Sequence, residues 1–236
     1  MKTSMKTPAL LAVILLSPVS AFAMVEDDPV LTMLKVDQLE LRDADEGDVT
    51  AWEGHLWVGK DLNKLWIKSE GERSSEGTES SEIQLLYSRA VDSNWDLQLG
   101  LRYDARPTPN RDWLAIGFNG LAPYFFDVDS ALFIEREGQV NLRFATEYEI
   151  MLTQKWVISP ELEINWYSED DLALGIGAGF SDLEGGIRLR YEISRDLAPY
   201  IGINFEKLLG DTADIAEAAS LETSESQLVV GVSFWF

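Results

Sequence analysis

Polar and charged side chains, many of them acidic, fall at every second position in several extended stretches of this 236-residue chain. The clearest stretch is Trp95–Asp104. There Asp96, Gln98, Gly100, Arg102 and Asp104 alternate with Trp95, Leu97, Leu99, Leu101 and Tyr103. Successive side chains of a strand point to opposite faces, so one face is polar and charged and the other apolar. His55, the single histidine, lies two residues after Glu53 and two before Trp57, so all three share one face. An imidazole beside a carboxylate can bind a borderline metal such as copper or zinc. A lone histidine is also commonly structural. The thioethers Met24, Met33 and Met151 suit a soft monovalent ion, but they are scattered along the sequence.

Such faces require long, regular strands. Val140–Ile150, Trp156–Trp166 and Leu183–Ile193 repeat the alternation, and the chain ends on another such run, Leu228–Phe236, closing on an aromatic. This pattern predicts an all-β, transmembrane, antiparallel up-and-down β-barrel of about twelve strands, with apolar residues facing lipid and polar residues facing the lumen. The expected strands span 33–43, 50–59, 64–73, 81–91, 94–104, 112–120, 124–135, 140–151, 155–167, 181–193, 198–207 and 226–236. Connections after even strands are short. Those after odd strands are longer, apart from Arg136–Gln139, as expected when both ends lie in the periplasm. The loop Leu208–Glu225 includes an Ala/Glu-rich stretch able to form a helical turn or two.

Inward-pointing carboxylates are then expected at Glu53, Glu70, Asp96, Asp104, Asp127, Asp129, Glu135, Glu147, Glu149, Glu161, Glu163, Glu184, Glu192 and Glu206. Negative charge inside a narrow tube focuses potential on cations. Arg102, Arg143, Arg188 and Arg190 point the same way, so many of these acids also qualify as structural partners of arginine.

The N-terminus reads as a signal peptide over residues 1–23. Lys2 and Lys6 precede the apolar run Leu10–Leu16, and Ala21-Phe22-Ala23 forms the cleavage pattern. The apolar run is far below the roughly 20 residues that span a bilayer. Residues 24–32 form a short periplasmic segment, and the barrel occupies 33–236. Cysteine is absent, which excludes disulfides and a lipid-modified cysteine. The formal charge is −22, which argues against a nucleic-acid partner and favours cations. One histidine without a local nucleophile signature argues against an enzyme.

Several ordered blocks carry a family resemblance: Ala51–Gly59, Asn63–Glu72, Leu86–Val91, Trp95–Gln98, Arg102–Asp104, Gly120–Phe126, Leu189–Ile193, Ala198–Gly202 and Gly210–Asp214. Together they resemble the copper resistance protein B family of bacterial outer-membrane proteins. The resemblance implies a copper resistance role in the outer membrane of a Gram-negative bacterium, with copper as ligand or cargo and a periplasmic multicopper oxidase as partner. Many members carry a His- and Met-rich N-terminal extension. Here Met24–Leu34 holds two methionines and no histidine, which leaves copper handling to the barrel. Within the matching blocks, His55, Glu53, Glu70 and Asp104 are the candidate metal-facing residues. Two other readings stay open: a general cation-preferring pore, and a structural barrel that sequesters metal without transport.

Overall fold

The computed structural model describes residues 28–44, 47–75 and 77–236. The signal peptide, most of the segment after it, and Met24 lie outside the described residues. The described residues form twelve antiparallel strands. They are β1 (Leu31–Ala44), β2 (Gly47–Gly59), β3 (Asn63–Arg73), β4 (Thr78–Asp92), β5 (Trp95–Arg106) and β6 (Arg111–Ala122). Then follow β7 (Phe126–Glu135), β8 (Val140–Tyr148, resumed at Ile150–Met151), β9 (Trp156–Tyr167), β10 (Gly179–Tyr191), β11 (Leu197–Leu208) and β12 (Ser224–Trp235). Each strand pairs with the next in sequence, and β12 pairs with β1, so the sheet closes. Closure leaves no unpaired strand edge, which is the condition for a sheet to exist in lipid.

The alternation sorts as expected. Leu85, Leu99, Leu101, Leu114, Ile187, Ile201, Ile203, Leu228 and Val230 are exposed on the outer surface, while Gln84, Gln98, Arg102, Asn141, Arg188 and Asn204 are buried inside. An apolar belt of this extent on a closed barrel marks a lipid-facing surface. The described residues include no helix long and apolar enough to cross a membrane.

The start of β1 and the end of β12 lie at the same rim. Leu34 N donates to the Phe236 carbonyl at 2.9 Å, and Phe236 N to that of Leu34 at 2.8 Å. The connections at this rim are tight. At the opposite rim the stretch 168–178 folds back on the mouth. Its Asp171 pairs with Arg111, and Ile176 packs against the interior aromatic cluster. The connection after β11 contains the helix α1 (Gly210–Ala218), and Gly177 N donates to Thr212 Oγ1 at 2.9 Å.

Boundaries differ modestly from expectation. β1 starts at Leu31 and β10 at Gly179. Strand β7 starts at Phe126, because Pro123–Phe125 forms a 3-10 turn. Proline fixes the turn entry, and Tyr124 and Phe125 follow at φ 67° and 66°. The lumen is also not purely polar. Trp66, Leu86, Trp113, Ala115, Phe133 and Tyr167 form a buried cluster within it.

Candidate functional site

The outer half of the lumen is held by arginines. Arg102 Nε lies 2.7 Å from both Glu82 and Asp104, and its guanidinium sits 4.5 Å from the Phe133 ring centre. Trp113 Nε1 donates to Asp104 at 2.7 Å. Arg143 reaches Glu70 at 2.6 Å, Glu82 at 3.0 Å and Glu163 at 3.3 Å. Across the lumen, Arg42 reaches Glu72 at 2.8 Å, Glu40 at 2.9 Å and Glu184 at 3.2 Å. Arg188, three residues from the periplasmic end of β10, extends this network downward, pairing with Glu40 and Glu161 and donating to Gln38 at 3.2 Å. A planar guanidinium with five donors satisfies several carboxylates at once, so four arginines hold eight carboxylates in this network.

The periplasmic half is built differently. Its cations are mostly lysines, each holding one aspartate. Lys64 binds Asp96 at 2.8 Å, Lys68 binds Asp129, and Lys35 binds Asp37 at 2.5 Å. Arg188, and Arg190 paired with Glu147 and Glu149, are the exceptions. Two indoles line the wall here. Trp57 and Trp66 lie 6.1 Å apart, with Lys64 and Lys68 over their faces. The His55 ring is 5.0 Å from Trp66, and its Nδ1 is 3.1 Å from Asp37.

A bulge in β1 creates that last contact. Val36 pairs with Gly54 and Gln38 with Glu53, which leaves Asp37 as the extra residue. Bulges re-aim side chains, and this one turns Asp37 onto His55. Gly54 allows it. A Cβ there would lie 2.8 Å from the Lys35 carbonyl oxygen and 3.2 Å from Val36 Cα.

Of the four candidate metal-facing residues, Glu53 and Glu70 pair directly across β2 and β3, and His55 is two residues along from Glu53. Glu70 is committed to Arg143, and Asp104 to Arg102 and Trp113. Asp104 is therefore set apart, on the far side of Glu82 in the same cross-strand row. Among the described residues no three His, Cys, Asp or Glu side chains are arranged to hold a metal ion. Glu53 stands out. It is exposed on the interior side of β2 and has no hydrogen bond or ion pair among the described residues. Its strongest charge interactions are all with carboxylates, namely Asp37, Glu70, Glu161 and Glu163.

Most other predicted acids are partners of basic or amide groups, as the arginine alternative proposed. Asp37, Glu40, Arg42 and Glu82 escaped the sequence reading. A bulge breaks period two at Asp37, whereas Glu82 sits on a regular alternation, between Ile83 and its neighbours, that could have revealed it.

Comparison with known proteins decides the family. The family model described as copper resistance protein B precursor (CopB) matches residues 30–236. The chain belongs to the copper resistance protein B family. It is 40% identical over 212 residues to copper resistance protein B of Escherichia coli, covering 90% of this chain and 72% of that protein. It is 38% identical, with the same coverage, to a copper resistance protein B homolog of Pseudomonas syringae pv. tomato. Among solved structures, the NanC porin is similar at a TM-score of 0.53 and 13% identity, covering 86% of this chain and 99% of that one. That likeness concerns the fold alone. Family and barrel together support a copper resistance role in the outer membrane.

Proposed function

We propose that this barrel lowers periplasmic copper by binding it inside the acidic lumen and passing it outward. Glu53 carries the reading. A carboxylate that faces the lumen directly opposite a second acid, Glu70, with no ion pair among the described residues, is an incomplete electrostatic arrangement that a cation completes. His55 and Glu53 are the metal-facing residues of this proposal. Glu70 is the next acid along the cross-strand row, shared with Arg143. Asp104 serves as an outer member of that row, held in place by Arg102. The sequence offers no nucleotide motif, so movement would follow a concentration gradient. A periplasmic multicopper oxidase fits as a partner at the periplasmic mouth.

A second reading has an observation in its favour. The arginine network, the interior aromatics Trp113, Phe133 and Tyr167 and the folded-back stretch 168–178 occupy the outer half, which favours a barrel that retains copper without transporting it. Flux through the purified protein in liposomes separates the readings. The proposal expects copper to pass while calcium and a neutral sugar of similar size do not. Equal leakage of all three would make the barrel a general pore. Retained copper with no flux would make it a sequestering barrel.

A further inference from the structure

We propose that the thioether of Met33 and Nε2 of His55 form a copper(I) site near the periplasmic mouth of the lumen. This assignment rests on the copper reading above and adds the residues, the oxidation state and the place.

Two independent features support it. The first is the orientation of His55. Its Nδ1 faces the Asp37 carboxylate at 3.1 Å, so the proton of the neutral ring sits on Nδ1 and the lone pair on Nε2. Metal-ligating histidines are commonly held in this way by a carboxylate on the other nitrogen. Lys35, 2.5 Å from Asp37, holds the carboxylate in turn. Nε2 has no protein partner among the described residues. The backbone is adapted to this contact, because the bulge at Asp37 and the absence of a side chain at Gly54 bring β1 onto β2 there.

The second feature is the register. Met33 pairs with Trp57, and Lys35 pairs with His55. Met33 and His55 are therefore diagonal neighbours on the inner face of adjacent strands, a separation that a long side chain bridges. A thioether and an imidazole together favour copper(I) over the harder divalent cations. Sequence spacing alone hides this pair, since Met33 and His55 sit on different strands.

The test uses the full chain in detergent. Copper(I) is titrated against a chromophoric copper(I) chelator, and the bound ion is examined by X-ray absorption. Wild type is expected to show both sulfur and nitrogen scatterers. Met33→Leu, a volume-conserving change, should remove the sulfur signal and weaken copper(I) binding by about tenfold or more, while copper(II) binding stays unchanged. Asp37→Asn should weaken binding by about 10–100-fold through the loss of ring orientation. Each variant is first checked for cooperative unfolding like that of wild type. Copper(I) bound by wild type without sulfur scattering, or with unchanged affinity in Met33→Leu, would overturn the assignment and leave the copper reading standing. Failure of wild type to bind copper in either oxidation state would overturn both.

Discussion

The two halves of the lumen solve the same problem in different ways. Both must place charge inside a membrane. In the outer half, Arg42, Arg102 and Arg143 each engage two or three carboxylates, and Phe133 is fully buried beneath two guanidinium groups. In the periplasmic half, lysines hold single aspartates, and an imidazole, a thioether and two indoles share the wall. Glu53 marks the border and belongs to neither network. The contrast separates structure from function. The arginine network ties each of its carboxylates to a guanidinium and so fixes the barrel's cross-section. The lysine half keeps groups with free lone pairs.

Removing a cation from each half gives the largest predicted difference. Arg143→Ala leaves Glu70 without its cation, Glu82 with Arg102 as its remaining cation and Glu163 with Asn165 as a donor, and should destabilise the fold by about 3–5 kcal/mol. Lys68→Ala leaves Asp129 with Asn119 as a donor and should cost about 1 kcal/mol or less. Urea unfolding in detergent micelles, followed by tryptophan fluorescence, measures both. Equal losses would erase the distinction between the halves.

Gly54→Ala comes next. Its methyl group meets the β1 backbone at the bulge and should cost about 1–3 kcal/mol. It should also move Asp37 away from His55. The same unfolding measurement gives the cost, and the His55 ring resonances report the lost contact. Unchanged resonances would mean that the bulge does not depend on this close approach.

The smallest effect on stability is expected at Glu53. Glu53→Gln removes no partner, so unfolding should shift by no more than about 0.5 kcal/mol, or toward greater stability. Copper binding should nonetheless weaken. A large destabilisation would show that Glu53 is a structural member of the outer network.

The barrel was legible because its signal is repeated. Twelve runs of alternating residues and the asymmetry of the connections indicate the same fold, and the strand bounds differ mainly where local chemistry intervenes, as at Pro123–Phe125. The inward position of Glu53, His55, Glu70 and Asp104 also follows from period two. Their commitments do not. Arg143 reaches Glu70 from a strand 73 positions away in sequence, and no spacing rule links them. Asp37 was hidden by its bulge, which places Asp37 and Gln38 on the same side and breaks the pattern from which facing is inferred. Met33 was visible as a thioether, but only the register of β1 against β2 brings it near His55.

The most direct test of copper handling in the periplasmic half is the copper content of the purified barrel after equilibration and desalting. Wild type is compared with Glu53→Gln, His55→Gln and the double variant. Copper in proportion to protein is expected for wild type, less in each single variant, and none above background in the folded double variant. Undiminished copper in the folded double variant would contradict the proposal.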